Sequence, residues 1–240
     1  MPLPEIVTPT YTLTVPSTKK KLKYRPFLVK EQKTLIIALE AKDSEQTLEA
    51  IKTVLNNCII TKNIVLDDMA LFDIEYIFLQ VRARSISEEI EMKVTCPDDG
   101  ETEINVSFLV DDVKVHFPKG HKNIFKISDD ITVEMKYPDM EYFAAITFSQ
   151  EKVDPYELVG KCIKRVYVGE EATGSFTTTE ARDWVETLTN AQFGMIQEFF
   201  NTMPSLRHVL KFKNPKTQVQ NEVVIEGLAD FFASPSSMRA

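Results

Sequence analysis

Glycine is scarce, with seven in 240 residues, and none stands in a G-x-G-x-x-G or G-x-x-x-x-G-K-[ST] string. A backbone cradle for phosphates therefore has no place in the chain, which removes the common nucleotide-enzyme classes. Cysteine is equally sparse. Cys58, Cys96 and Cys162 are odd in number and far apart, and a chain this long needs no disulfide staples, so a reducing cytosol is the expected setting. The longest apolar run, Leu35-Ile36-Ile37-Ala38-Leu39, is far short of the roughly 20 residues that cross a bilayer. No basic-then-apolar leader opens the sequence either, so neither secretion nor a membrane span is expected. Also missing is an excess of positive charge: 28 basic against 36 acidic residues leave −8 at neutral pH, the reverse of a general nucleic-acid binder. What remains, 43% hydrophobic and 27% charged residues, is the composition of a globular chain with room for one large domain or two small ones.

The charge is unevenly spread. Residues 1–33 carry Lys19, Lys20, Lys21, Lys23, Arg25, Lys30 and Lys33 against Glu5 and Glu31, whereas residues 85–112 carry Glu88, Glu89, Glu91, Asp98, Asp99, Glu101, Glu103, Asp111 and Asp112 against Lys93 alone. Two such poles can attract each other or a second copy of the chain at short range. The basic end begins with prolines at 2, 4 and 9, which favour extended backbone. Tyr11, Leu13 and Val15 then alternate with threonines, Pro16-Ser17-Thr18 turns the chain, and Leu22 and Tyr24 alternate with Lys21, Lys23 and Arg25. This pattern predicts a hairpin with a basic outer face.

From Leu28 to Arg84 the period is helical, with helices expected at about Lys30–Ala41, from a Ser44 cap to about Asn56, and from near Asp67 or Asp68 through Arg82. The third is apolar nearly all round and should be central and buried. Asp73 and Glu75 fall in its first turns, where carboxylates complement the positive end of the helix dipole; no His, Lys or third acid is placed with them to make a catalytic dyad or cation site. Residues 90–137 return to a period of two. Ile90, Met92, Val94 and Cys96 face Ile104, Val106 and Phe108 across a Pro97-Asp98-Asp99-Gly100 turn, with further strands at Val113–Phe117 and Ile131–Tyr137. Helices are expected again at about 138–148 and 155–166, then a Gly-Ser-Thr loop at 169–178. Thr177 and Glu180 have capping-box spacing, Trp184 and Leu188 share an inner face, and Phe193, Ile196, Phe199, Phe200 and Met203 continue helical spacing up to Pro204. A last hairpin turns at Asn214-Pro215 and precedes a short apolar segment, Gly227–Phe232. The expected fold is α+β: a basic arm and hairpin (1–27), a helical region (28–85), an antiparallel β subdomain (86–137), and a helical region closing with a hairpin and short helix (138–240).

Chemistry finds few candidates. Cys96 with His116 and His121 approaches a zinc-site spacing, but it lacks a partner cysteine, and Cys96 lies on the apolar face of its strand while His116 lies on a polar one. A zinc-bearing binding module stays as a subsidiary reading. No nucleophile stands in a recognisable elbow; Cys58 and Cys162 sit in apolar helical surroundings, and His208 is in phase with Leu206, Leu210 and Phe212 as a core or half-buried group. No catalytic residue, cofactor or metal is expected. The surface feature with binding capacity is Lys19, Lys20, Lys21, Lys23 and Arg25 with Tyr24 and Phe27 beside them, and an acidic protein partner suits it better than nucleic acid, which favours more aromatic platforms.

Several strings carry a resemblance: the extended Pro2-Leu3-Pro4 opening, Tyr24-Arg25-Pro26-Phe27-Leu28-Val29-Lys30-Glu31, the helix Leu71-Phe72-Asp73-Ile74-Glu75-Tyr76-Ile77-Phe78 leading into Arg82-Ala83-Arg84-Ser85, and Gly227-Leu228-Ala229-Asp230-Phe231-Phe232. Over nearly the whole chain these resemble the baseplate hub protein family of T4-type contractile-tailed bacteriophages. The resemblance implies a non-enzymatic viral protein. It is either a structural subunit of the hub or a hub assembly factor that leaves before the particle matures. The implied partners are other tail and baseplate hub proteins, with a second copy of the chain as a further option, and neither nucleic acid nor membrane. The implied location is the virion tail baseplate, assembled in the host cytoplasm.

Overall fold

Where polar and apolar residues alternate this chain pairs as strands, and where apolar residues recur every three or four it coils. The computed structural model describes residues 6–41, 44–140 and 154–227 and has an α+β architecture. β1 (Tyr11–Thr14) and β2 (Lys21–Tyr24) pair with Leu13 opposite Leu22. α1 (Val29–Ala41), α2 (Ser44–Cys58) and α3 (Leu71–Ser85) follow. Next come a two-stranded ribbon, β3 (Glu89–Thr95) with β4 (Glu103–Leu109), and the short β5 (Lys114–His116). β6 (Ile124–Lys126), β7 (Ile131–Met135), β8 (Ile163–Val168) and β9 (Glu171–Ala172) form a four-stranded sheet in that order, with α4 (Pro155–Cys162) between β7 and β8 in sequence. α5 (Thr178–Glu186) and α6 (Asn190–Asn201) lead to the hairpin of β10 (Ser205–Lys213) and β11 (Gln220–Glu226), and β5 pairs on the other side of β10. Every strand pairing among the described residues is antiparallel, and no described helix is long and apolar enough to cross a membrane.

Two apolar clusters organise these elements. The first joins Leu13, Leu22 and Tyr24 of the opening hairpin, Leu35, Leu55, Ile74 and Ile77 of the helices, Ile90 and Met92 of β3, and Leu206, Leu210 and Ile225 of the closing hairpin. The second joins Val133 and Met135 of β7, Val159 of α4, Ile163 of β8, Ala181 and Val185 of α5, and Ile196 and Phe199 of α6. Each fully buried Leu, Ile or Phe contributes roughly 1.5–3 kcal/mol over leaving it in water. The segment 86–137 is thus divided between the clusters: β3 faces the first and β7 the second. The joint is aromatic, with Phe72 edge-on to both Phe117 and Tyr137, and Tyr137 stacked on Phe199. Gly160 keeps α4 close to α5, because a Cβ there would stand 2.9 Å from the Arg182 backbone nitrogen.

Several boundaries differ from the sequence expectation. Asp67 and Asp68 lie in a 3-10 turn, and extended backbone at Met69 and Ala70 delays α3 to Leu71. The helix expected over 155–166 ends at Cys162, and Ile163-Lys-Arg-Val-Tyr-Val, rich in β-branched and aromatic residues, becomes β8 against β7. Within the loop expected at 169–178, Glu171 and Ala172 pair back onto β8. The helical run from Thr177 to Met203 is two helices, since Thr189 and Gln192 form a second capping box that restarts the coil after Glu186. The helix expected at about 138–148 lies outside the described residues from residue 141 onward, as do Pro2-Leu3-Pro4 and the segment after Gly227.

α3 is buried on nearly every side, from Leu71 to Ala83, polar residues included. Asp73 does not act there as a dipole partner alone: its carboxylate accepts the Ser17 backbone N–H at 2.9 Å and the Ser17 hydroxyl, fastening the turn of the opening hairpin to the central helix. Burial still holds the Asp73 carboxyl above its ordinary value. Ser17→Ala should therefore destabilise the fold by about 1–3 kcal/mol in urea denaturation at neutral pH. A carboxyl whose folded pKa is raised is best tolerated protonated, so the deficit should shrink as the pH is lowered toward 4. A deficit independent of pH would show that Asp73 is not the group Ser17 serves.

Candidate partner-contact surface

The basic surface is built by alternation. On β1 and β2, Leu13, Leu22 and Tyr24 turn inward, so Thr12, Thr14, Lys21 and Lys23 must turn outward, with Thr14 opposite Lys21 and Thr12 opposite Lys23. Lys19, at φ 58 in the left-handed region, closes the turn by donating its N–H to the Val15 carbonyl, and Val15 N–H bonds the Lys20 carbonyl. The hairpin is clamped along its second strand. Ile60 N–H and Thr61 N–H donate to the Lys23 carbonyl, Lys23 N–H donates to Thr61 Oγ1, Arg25 N–H reaches the Cys58 carbonyl, and Phe27 N–H bonds Ser85 Oγ. With the Ser17 bonds to Asp73, these hold the lysines on a rigid frame.

The seven residues singled out from sequence divide between surface and core. Lys19, Lys20, Lys21 and Lys23 are exposed, and among the described residues none of the four forms an ion pair. The Lys19 ammonium lies 4.8 Å from the Phe117 ring centroid. Tyr24 and Phe27 are buried in the first cluster. Arg25 is half-buried and bonds Glu31 Oε1 at 3.0 Å. Glu31, only 2% exposed, also accepts the Leu28 N–H at 2.7 Å at the start of α1. Burial pushes the Glu31 carboxyl up, but the Arg25 guanidinium and the Leu28 amide more than offset it and hold the group below its ordinary range.

The acidic pole is largely spent within the molecule. Glu88 and Asp111 pair with Arg84, Glu103 with Lys93, and Glu101 with Lys216. Asp98 and Asp99 enter an interlock that local sequence patterns do not reveal, in which the β3–β4 turn meets the β10–β11 turn. Asn214, fully buried, donates to Asp98 Oδ1 at 2.9 Å and Asp99 Oδ2 at 3.1 Å; Asn221 donates to Asp98 at 2.8 Å, and the Thr217 hydroxyl bonds Asp98 as well. Asn214 and Thr217 hydrogen bonds lower the Asp98 pKa, and the Thr102 hydroxyl and N–H lower that of Asp99. Each turn signal is visible alone, Pro97-Asp98-Asp99-Gly100 and Asn214-Pro215, but their meeting is a tertiary event more than 100 residues apart, 116 between Asn214 and Asp98.

The zinc candidates have separate surroundings. Cys96 is buried at the end of β3, its thiol raised by burial and by the Asp99 and Asp98 carboxylates. His116 is exposed on β5 opposite Ser205. His121 uses both ring nitrogens, Nδ1 with Thr202 Oγ1 and Nε2 with the Tyr137 hydroxyl, each at 3.1 Å. Among the described residues no group of three His, Cys, Asp or Glu side chains is gathered to hold a metal. Cys58 and Cys162 are buried, with thiols pushed up to about 11 and about 12, so both stay protonated at neutral pH. His208 stacks on Phe108. A groove of about 320 Å³ beside Trp184 is lined by Ile163, Val166 and Phe176, and its one acid, Glu180, serves the Thr177 capping box.

The family model described as T4 bacteriophage base plate protein matches residues 8–233. No curated protein and no solved structure matches the chain.

The interlock makes a sharp stability test. Asn214→Ala removes the buried amide that Asp98 and Asp99 share, leaving Asp98 its bond from Asn221, and should lower the urea midpoint at neutral pH. Because Asp98 and Asp99 are held below the ordinary value of 3.8, the stability they supply is present above that pH and fades as the pH falls through their folded values. The gap between Asn214→Ala and the parent should therefore narrow in acid.

Proposed function

The chain belongs to the T4 bacteriophage base plate protein family, and from that premise we propose that it is a structural subunit of the baseplate hub, acting through protein–protein contacts. Membership makes it a phage baseplate protein with a structural role among other tail proteins. The observation that supports the finer reading is the clamped hairpin: Lys19, Lys20, Lys21 and Lys23 are held outward on a frame fastened to α2, to the residues after it and to α3, without carboxylates of their own. A row of unpaired ammonium groups on a fixed backbone frame spares the backbone's ordering cost on docking and attracts an acidic protein surface at long range. The acidic ribbon is a poorer complement from a second copy, since most of its carboxylates already have internal partners. The partner that fits best is an acidic face of a neighbouring tail or hub protein.

Two measurements test this reading. Quantitative mass spectrometry of purified virions and isolated baseplates should find the chain at a fixed ratio to other tail proteins. Its presence in hub precursors but absence from particles would instead identify a hub assembly factor that departs. Second, Lys20→Glu, Lys21→Glu and Lys23→Glu together, which spare Lys19 and its contact with Phe117, should leave the melting temperature unchanged, because those side chains are exposed, while slowing association with hub precursors by roughly tenfold or more at low salt. Unaltered incorporation of the triple variant would remove the hairpin from the interface.

A further inference from the structure

A second surface, remote in sequence from the lysine hairpin, has a different chemistry. β6 ends its sheet, with only β7 beside it among the described residues. Asn123 accepts the Met135 N–H at 2.7 Å, Phe125 stands opposite Val133, and Ile127 donates to the Ile131 carbonyl at 3.0 Å. Backbone bonding alternates along an antiparallel strand. Residues 123, 125 and 127 therefore spend their N–H and C=O groups on β7, and Ile124 and Lys126 direct theirs outward along the open edge.

Beside that edge runs a groove of about 350 Å³, walled by Ile124, Phe125 and Lys126 on one side and by Met195 and Glu198 of α6 with Thr202 just past its end on the other. Ile124 and Met195 are 55% and 47% exposed, apolar surface that the chain leaves in water. Lys122 also lines the groove. From Val113 to Lys126 the chain carries Lys114, Lys119, Lys122 and Lys126 and no carboxylate. Lys126 makes a 3.8 Å contact with the exposed Asp129, and Glu198 supplies one negative charge on the helix wall.

We propose that the β6 edge and its groove accept, by strand addition, an extended segment of a partner protein in which apolar and acidic residues alternate. The open N–H and C=O groups of Ile124 and Lys126 supply the main-chain pairing that strand addition uses, and alternate side chains supply its specificity. An incoming apolar side chain covers Phe125 and Met195 on the face toward α6, since Ile124 shares the other face with Lys122 and Lys126. The acidic ones lie toward Lys122 and Lys126, away from Glu198. An edge this short, with lysines along it, is protected against indiscriminate pairing, so charge complementarity decides what joins it.

The probes are two capped synthetic peptides, a Glu-Val repeat and its Lys-Val counterpart, titrated into the full chain with backbone amides followed by NMR. The Glu-Val peptide should shift the Ile124 and Lys126 amides and slow their exchange with solvent, and the Lys-Val peptide should not. Ile124→Pro removes an edge donor without removing a β6–β7 bond, a position where proline is tolerated, and should weaken binding by roughly tenfold. Should that variant fold poorly, Lys122→Glu with Lys126→Glu leaves the backbone intact and should reverse the preference toward the Lys-Val peptide. Equal binding of both peptides, or no response at Ile124 and Lys126, would overturn the assignment. So would a response confined to Lys19–Lys23, which would leave the hairpin reading standing, or dimerisation of the chain alone that Ile124→Pro abolishes, which would name a second copy as the occupant.

Discussion

The central helix α3 has almost no face for water, and the rest of the fold follows from covering it. A helix apolar over most of its circumference has to be enclosed from several directions at once, and elements distant in sequence have to supply part of that cover. The opening hairpin, β5 and the closing hairpin complete the enclosure, so the two ends of the described chain converge on its middle. Enclosure then sets a second demand. Asp73 is 1% exposed and requires donors, and the turn at Ser17 supplies two. The hairpin that carries the surface lysines is consequently not a loose arm. Its position is dictated by a buried carboxylate on the other side of its own turn.

The same rule of satisfied polar groups acts at the far end of the first cluster, with opposite electrostatics. Asp73 pays for burial with a raised pKa, whereas Glu31, Asp98 and Asp99 receive enough donors to be held low. The first favours the protonated protein and the other three favour the ionised one, so acid acts in opposite senses at these two parts of the fold. These carboxylates also show how a chain of net charge −8 can present basic surfaces. Many of its acids are turned against Arg25, Arg84, Lys93, Lys216 and the asparagines of the interlock, while Lys19, Lys20, Lys21, Lys23 and Lys122 are left to the solvent.

Much of this was legible before any coordinates. Period-two alternation found β1 to β5, β7, β10 and β11, and the buried character of α3 followed from its all-round apolarity. The second capping box at Thr189 and Gln192 was also written in the sequence, but the aromatic stripe from Phe193 to Met203 obscured it by suggesting one continuous helix. The end of α4 was harder: Leu158 to Ile163 has no glycine or proline stop beyond Gly160, and the switch at Cys162 is made by β7 offering an edge to Ile163–Val168, a tertiary choice. At the candidate surface, alternation placed Lys21 and Lys23 outward, whereas Tyr24, grouped with them from sequence, is buried in the first cluster. Arg25 and Phe27 lie beyond the hairpin's regular pairing, where Glu31 and the Ser85 hydroxyl decide their places, and no local pattern carries that information.

The two basic surfaces differ in what they can discriminate. Lys19 to Lys23 offer charge on a fixed frame, which accelerates encounter with any acidic face and falls off with salt, but it reads little shape. The β6 edge offers two backbone donor–acceptor positions, an apolar floor and flanking ammonium groups within a few residues. That combination rejects a partner that cannot extend, cannot fill the floor or carries the wrong sign, since each failure leaves polar or apolar surface uncompensated. A baseplate subunit has to join its neighbours quickly and in one orientation, and those needs call for different physics. On the proposed reading, long-range attraction would serve the first and short-range strand pairing the second, and placing them on separate elements would let either change without loosening the other.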